Sequence, residues 1–370
     1  MNLTSKDRML ITLDHKEPDR VPLDCWLVPE IELLLRKRYK KELEEFDRTN
    51  TWQDPRINPN LWVLLGNDIL IAKYGISSGY YRDSNSDFYL DEWRIKWKKT
   101  FYKTVNGDGY YTEISEFPLS DENKINNYIP PNPDNEDMWY IDELIKRYGD
   151  EYYIVLDVSC SIFEALKYLR GITQSLIDII VNKDIAHKVM DMAIDYHLKL
   201  GLRQINKGVD MILLADDFGG EDSLLMSPEL FREMIKPKMG YMINEFKKKN
   251  KNIKIGYHCC GYVEPIIDDF IEVGIDLLHP IQPEAMDPAY IKKRYGSRVA
   301  LWGTIGTQQN LPFGSPRDVE NEVKERIKTC GPGGGFLISP SHSIQLDVPL
   351  KNIEAFYNAV KKYGKYPIKL

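Results

Sequence analysis

The chain predicts an eight-stranded α/β barrel, (β/α)₈ in architecture and built as one domain. Three observations lead there. Short, β-branched apolar runs alternate with longer amphipathic stretches through most of the 370 residues, the pattern of βαβ units around a parallel sheet. Eight such runs can be counted, the number a closed barrel requires. The hydrophobic fraction of 43% and charged fraction of 28% are those of a globular protein with a large core.

The candidate strands are 20–27, 68–72, 153–158, 209–215, 253–258, 275–280, 299–303 and 336–340. Between the fourth and fifth, Ser227-Pro228 supplies an N-cap and a first-turn proline. Leu230, Phe231, Met234, Ile235, Met239, Met242, Ile243 and Phe246 then recur at helical spacing, so one face buries against the sheet. The stretch 184–207 reads as another helix, ended before Gly208, and 350–362 closes the outer ring. Residues 76–150 break the alternation. They are rich in Tyr, Asp, Asn and Pro, with a turn signal at Asn106-Gly107 and alternating aromatics over 92–97. They are expected to form an inserted hairpin and a loop between the second and third barrel strands.

Composition narrows the function. A net charge of −7 without a basic stripe argues against nucleic acid; the runs 36–41 and 247–251 read as solvated helix faces. No apolar run approaches the roughly 18 residues of a membrane helix, and the first residues show no signal-peptide block. The expectation is a cytoplasmic protein with five cysteines as thiols or ligands. A Walker loop, a GxGxxG after a strand and a serine nucleophile elbow are all missing from the sequence, which sets aside NTPase, dinucleotide and serine-hydrolase readings.

Barrels of this kind take their reactive groups from the loops after the strands. After the fifth strand comes Tyr257-His258-Cys259-Cys260-Gly261. Residues two apart in extended chain point the same way, so His258 and Cys260 can converge while Cys259 turns away. Imidazole and thiolate are ligands zinc prefers; a buried thiol pair beside a hydrogen-bonded histidine is the alternative. After the eighth strand, His342 in Ser339-Pro340-Ser341-His342-Ser343 is a third ligand, a proton donor or a histidine satisfied by hydroxyls. The nearby CGPGGG at 330–335 precedes a strand, so it reads as a turn and not a phosphate loop. After the fourth strand, Asp216, Asp217, Glu221 and Asp222 fall within seven residues; mutual repulsion calls for a proton, cation or donor among them. Asp216 or Asp217 is assigned a functional role. Asp68 interrupts an apolar stretch and needs paired donors. Gln282, Gln308 and Gln309 suit substrate amides or carboxyls, and His279, at the end of the sixth strand, reads as a second-layer or structural histidine, with a reserve metal ligand as the alternative.

On SKDRMLITLDHKEPDRVPLD at 5–24, LGNDIL at 65–70, SIFEALKYLRG at 161–171, GVDMILLADDFGG at 208–220, GYHCCG at 256–261, LWGTIG at 301–306 and GPGGGFLISPSHSIQLDVPLKNI at 331–353, the sequence resembles the uroporphyrinogen-decarboxylase superfamily. It is most similar to the branch of cobalamin-linked methyltransferases and their unassigned relatives. From the decarboxylases, the resemblance implies Asp68 as a contact to pyrrole nitrogens, His342 as the late histidine and Tyr168 near the substrate tyrosine. Their arginine-bearing stretch after the first strand is here Leu23-Asp24-Cys25-Trp26-Leu27-Val28-Pro29-Glu30, without arginine. A mouth with Asp24, Glu30, Asp216, Asp217 and Glu221 suits a polycarboxylate badly. From the methyltransferases, it implies zinc held by His258 and Cys260, with His342 standing where that branch has Cys. It further implies a methyl group moved between a corrinoid (cobalamin) on a partner protein and a thiol, Asp216 or Asp217 orienting ligand or substrate, and a homodimer. Decarboxylation of a tetrapyrrole or smaller acid, using Asp68 and His342, is the alternative. On this expectation His258, Cys260, Asp216, Asp217 and His342 all open on one mouth.

Overall fold

The computed structural model describes residues 3–47, 59–76, 86–104 and 106–369. Seven parallel strands form one curled sheet: β1 (Ile69–Lys73), β5 (Tyr153–Asp157), β6 (Met211–Ala215), β7 (Lys254–His258), β8 (Leu277–His279), β9 (Ala300–Trp302) and β10 (Phe336–Leu337), neighbours in that order. Three others, β2 (Phe88–Leu90), β3 (Lys96–Thr104) and β4 (Gly107–Glu116), make a separate antiparallel sheet.

The first candidate strand is not a regular member of the sheet. Residues 20–27 run between β10 and β1 as an extended seam, with isolated parallel bridges from Leu23 to Ile338 and from Leu27 to Ile344. On one side Ile338 N donates to Pro22 O and Asp24 N to Ile338 O, both at 3.0 Å. On the other, Asp68 N donates to Leu23 O at 2.8 Å. Pro22 has no N–H, so a continuous ladder cannot form here. The ring is still closed.

Side-chain alternation divides the core in two. Ile69, Tyr153, Val155, Met211, Leu213, Leu277, Ala300, Trp302 and Leu337 fill the barrel interior with Met9 and Leu13 of the helix Ser5–Leu13. The intervening Leu70, Ile154, Leu156, Ile212, Leu214, Ile255 and Leu278 pack outward against the helices. Each strand is thus buried on both faces, which is why it reads as a near-continuous apolar run.

The helix expected through Leu230–Phe246 is broken at Ile235 into Pro228–Met234 and Lys236–Lys249. Pro237 is the reason: it fits only the first turn of a helix, so a new one starts there. Ser227 does cap the first piece, accepting from Leu230 N at 3.1 Å. The other two predicted helices are Lys183–Ile205 and Leu350–Tyr363.

In the insert, Thr104 pairs with Gly107, so the hairpin turns where Asn106-Gly107 signalled, with Val105 outside the described residues. Beyond a hairpin and loop, the structure adds β2 and a helix, Trp139–Tyr148, burying Ile141, Leu144 and Tyr148. The β3–β4 sheet reaches across the end of the barrel where the strands finish. Trp97 meets Tyr168 edge-on at 5.8 Å. Asn106 Nδ2 donates to Leu346 O (2.8 Å) and Val348 O (3.1 Å). The sheet therefore bridges the helix Phe163–Arg170, which follows β5, and the loop after β10. Among the described residues no helix is long and apolar enough to cross a membrane.

Candidate functional site

Inward alternation along each strand sets what stands at the top of the barrel. Following Ile69 and Ile71, the next inward residue of β1 is Lys73; following Tyr153 and Val155, that of β5 is Asp157. Gly256 faces inward, against Met211 and Leu213, so His258 does too; its neighbour in register, His279, follows inward Leu277. Lys73 and Asp157 are register partners.

On this layer the structure brings together His258, Cys260 and His342, with one ligand atom of each within 4.8 Å of the others. Cys260 Sγ lies 3.3 Å from His258 Nε2. Asp217 holds the turn: its Oδ1 accepts from Cys260 N at 2.8 Å and stands 3.8 Å from His258 Nε2. The loops after β6 and β7 can approach this closely because glycines face each other. A Cβ on Gly219 would meet Cys260 O at 2.5 Å, and one on Gly261 (φ +81°) would meet Gly220 O at 2.5 Å. Cys259 is fully buried on the outer side, where its Sγ accepts from Phe218 N at 3.3 Å. The two adjacent thiols face opposite ways, as alternation predicted, and all five cysteines are free.

The imidazoles are neutral at physiological pH. Burial pushes His258 down to about 4, and the neighbouring His342 and Lys73 assist against Asp217. Burial, then His258 and His342, holds His279 well below the usual range. Enclosure by protein and the Lys73 ammonium lower His342. His258 Nδ1 and His279 Nδ1 are 2.7 Å apart, and His279 also bonds the Pro340 carbonyl. A carbonyl only accepts, so the hydrogen-bond network assigns the His279 proton to that bond, and His258 Nδ1–H donates to His279. His258 Nε2 is left as a bare lone pair facing Cys260. Burial, then Asp217 and Glu164, raises the Cys260 thiol above its ordinary range.

The remaining predicted residues fall in three places. Gln282, Gln308, Glu221, Ser341 and Ser343 line a cavity of about 260 Å³ together with Cys260 and His342. Gln282 Oε1 accepts from Gly261 N at 3.0 Å, which fixes its amide at the wall. Gln309 faces a neighbouring cavity with Glu284 and Glu322. Tyr168 lies on the other side, near Cys160 and Glu164, which with burial raise its hydroxyl well above 10.

Asp216 and Asp68 depart from expectation. Asp216 is fully buried in the wall, where it accepts from Glu164 N (2.7 Å), Ile162 N (3.1 Å) and the Tyr257 hydroxyl (3.1 Å). Burial and Glu164 raise its pKa to about 8. It holds the start of the helix Phe163–Arg170 and presents no open oxygen to the thiol. Asp68 precedes β1, so it lies at the opposite, N-terminal end of the barrel. Its oxygens are taken by Arg8 Nη1 (2.6 Å), Arg20 Nη1 (2.7 Å) and Nη2 (3.0 Å), Ser5 Oγ (2.9 Å) and Leu23 N (2.8 Å). That is the need for paired donors, met by structure and not by a substrate.

Three mouth residues were missed. Lys73 falls one residue beyond the candidate strand 68–72, and Asp157 was hidden inside another. Trp26 projects inward from the seam, its ring 4.6 Å from His279, 5.7 Å from His258 and 4.8 Å from Lys73 Nζ. The inward parity of each strand is the signal that finds all three.

Comparison with known proteins follows the same division. Uroporphyrinogen decarboxylase of Pseudoalteromonas atlantica is 25% identical over 184 residues, 48% of each chain. That of Psychromonas ingrahamii is 22% identical over 267 residues, 66% of this chain and 69% of its own. The chain thus spans about half the length of most curated relatives it matches. Among solved structures, a methyltransferase from Methanosarcina mazei shares the fold, with TM-score 0.66, 18% identity and coverage of 98% of this chain and 99% of its own. A family model described as uroporphyrinogen decarboxylase (URO-D) matches residues 104–363, leaving the 5–24 stretch outside the match. With more than half its length inside that match and the loops carrying His258, Cys260 and His342 in the same span, the chain belongs to the uroporphyrinogen decarboxylase family.

Proposed function

We propose that this chain transfers a methyl group between a corrinoid carried by a partner protein and a thiol acceptor, with zinc held by His258, Cys260 and His342. The observation that carries the reading is the convergence of those three donors within 4.8 Å at the mouth. The donor set fits the ion. Tetrahedral zinc with ordinary Zn–N and Zn–S bonds puts its ligand atoms roughly 3.3–3.6 Å apart. The Cys260–His258 pair is already at 3.3 Å, and His342 offers its nitrogen within 4.8 Å of both. His258 presents a bare Nε2 while its other nitrogen is held by His279, the arrangement that fixes a ligand imidazole.

Bound there, zinc supplies the Lewis acidity that keeps an acceptor thiol as its nucleophilic thiolate. The protein does the rest. Asp217 holds the backbone of Cys260 and so aims its sulfur. The cavity bearing Gln282 and Gln308 receives the acceptor, and the β3–β4 sheet limits water at the mouth. A neutral His342 where related enzymes place a thiolate leaves the donor set with one negative charge fewer, which favours an anionic acceptor.

Zinc content after dialysis tests this. The parent should retain zinc, Cys260→Ser should lose most of it and Cys259→Ser should keep it. Because the Cys260 thiol is raised, a proton competes with the ion, and affinity should fall as pH drops. Equal retention by both variants, or no uptake by the parent at neutral pH with zinc in excess, would sink the zinc mechanism. Decarboxylation, the activity named for the curated relatives, would then lead.

A further inference from the structure

We propose that Lys73 is the anion receptor of the mouth, and that the small molecule reacting there carries one negatively charged group seated on its ammonium. The proposal rests on the mouth being the active site and specifies the substrate class. Lys73 is the last residue of β1 and faces inward on the layer that carries His258 and His279. Its side chain is exposed at the mouth, and its Nζ lies 4.8 Å from the Trp26 ring. Among the described residues it makes neither a hydrogen bond nor an ion pair.

The carboxylates around it do not complete it. Asp157, its register partner, accepts from both the amide and the hydroxyl of Ser159. Asp24 gives Oδ1 to Asn67 Nδ2 at 2.9 Å, and its buried Oδ2 has no partner. Burial raises both acids, Asp24 to about 7, despite the opposing pull of Lys73. Lys73 therefore stands at the mouth with its ammonium uncommitted, beside two carboxylates with which it forms no ion pair. A lysine serving only to cover Trp26 needs no such setting. Among the described residues a single charge is the limit, because Lys167 is already paired with Glu164 and Asp217 lines the wall beside it.

Calorimetry on the zinc-loaded protein with mercaptoacetate and its neutral isostere mercaptoacetamide tests the receptor. The acid should bind the parent roughly ten- to hundredfold tighter than the amide, the worth of one charge-assisted hydrogen bond. Lys73→Met should erase that preference while Lys73→Arg keeps most of it. Equal binding of acid and amide to the parent, or a preference surviving in Lys73→Met, overturns the proposal. A parallel titration of zinc-free protein with acetate and acetamide, read by tryptophan fluorescence beside Trp26, separates the two readings. A Lys73-dependent preference for acetate there sustains the receptor even if zinc uptake fails, and its absence counts against the receptor alone.

Discussion

His258 is a ready ligand because of what stands behind it. Its Nδ1 proton is committed to His279, whose ring is wedged between Trp26 at 4.6 Å and Trp302 at 4.4 Å between centroids. Gly303 makes room for that ring. A Cβ there would stand 2.6 Å from His279 Cδ2, and φ at Gly303 is +77°, so Gly303→Ala meets both a clash and backbone strain. The substitution should push His279 off its partner and cut zinc affinity by roughly ten- to hundredfold, the usual cost of losing an outer hydrogen bond to a ligand. Competition with a colorimetric chelator measures it; unchanged affinity would remove His279 from the site. At this scale the sequence was informative: His-x-Cys spacing on extended chain was enough to send Cys260 inward and Cys259 outward. It could not reveal that His258 and His279, 21 residues apart, become strand neighbours.

Whole elements carry the mouth as much as single residues do. The long helix Lys183–Ile205 is tied to the loop after β1 through buried His197. Its Nδ1 bonds Ala193 O at 2.7 Å, so its bare Nε2 accepts from Ile76 N at 3.3 Å. Protonation would turn that acceptor into a second donor facing an N–H. Burial accordingly lowers its pKa to about 4, below the unperturbed value of about 6.5. The unfolded chain therefore binds this proton first. Stability is fully present above about pH 6.5 and is lost as pH falls toward 4, by up to about 3 kcal/mol. Urea midpoints at pH 7, 5.5 and 4.5 should decline in that order, and His197→Gln should flatten part of the slope; an identical slope in that variant would assign it elsewhere. The helix itself was legible from its apolar period. The sheet laid across the mouth was read only as a hairpin, since its docking on Tyr168 and Leu346 depends on contacts far apart in sequence.

Across the whole molecule the two ends of the barrel divide the labour. The N-terminal end is bolted by Asp68 between Arg8 and Arg20, while the C-terminal end gathers the thiol, the imidazoles and Lys73. Asp68→Ala should leave the partly exposed Arg20 without its counter-ion and Arg8 with Asp19 alone, a loss of up to about 3 kcal/mol. Denaturant midpoints should drop accordingly, with zinc uptake by the folded protein unchanged. Loss of zinc from protein that is still folded would return Asp68 to the site.

The sequence by itself determined the barrel, seven of its strands, the hairpin turn, and the pairing of His258 with Cys260. All of these are written in local periodicity: a period of two for inward and outward faces, a longer one for helices, and turn residues between them. Only the tertiary structure decided which end of the barrel each charged residue serves. Asp68 immediately precedes the short strand that Lys73 ends, yet the first locks the bottom and the second opens at the top, because five residues of extended chain carry the backbone most of the way through the barrel. The seam at 20–27 was likewise decided by closure, since Pro22 denies it a ladder and only its two neighbours in space hold it extended.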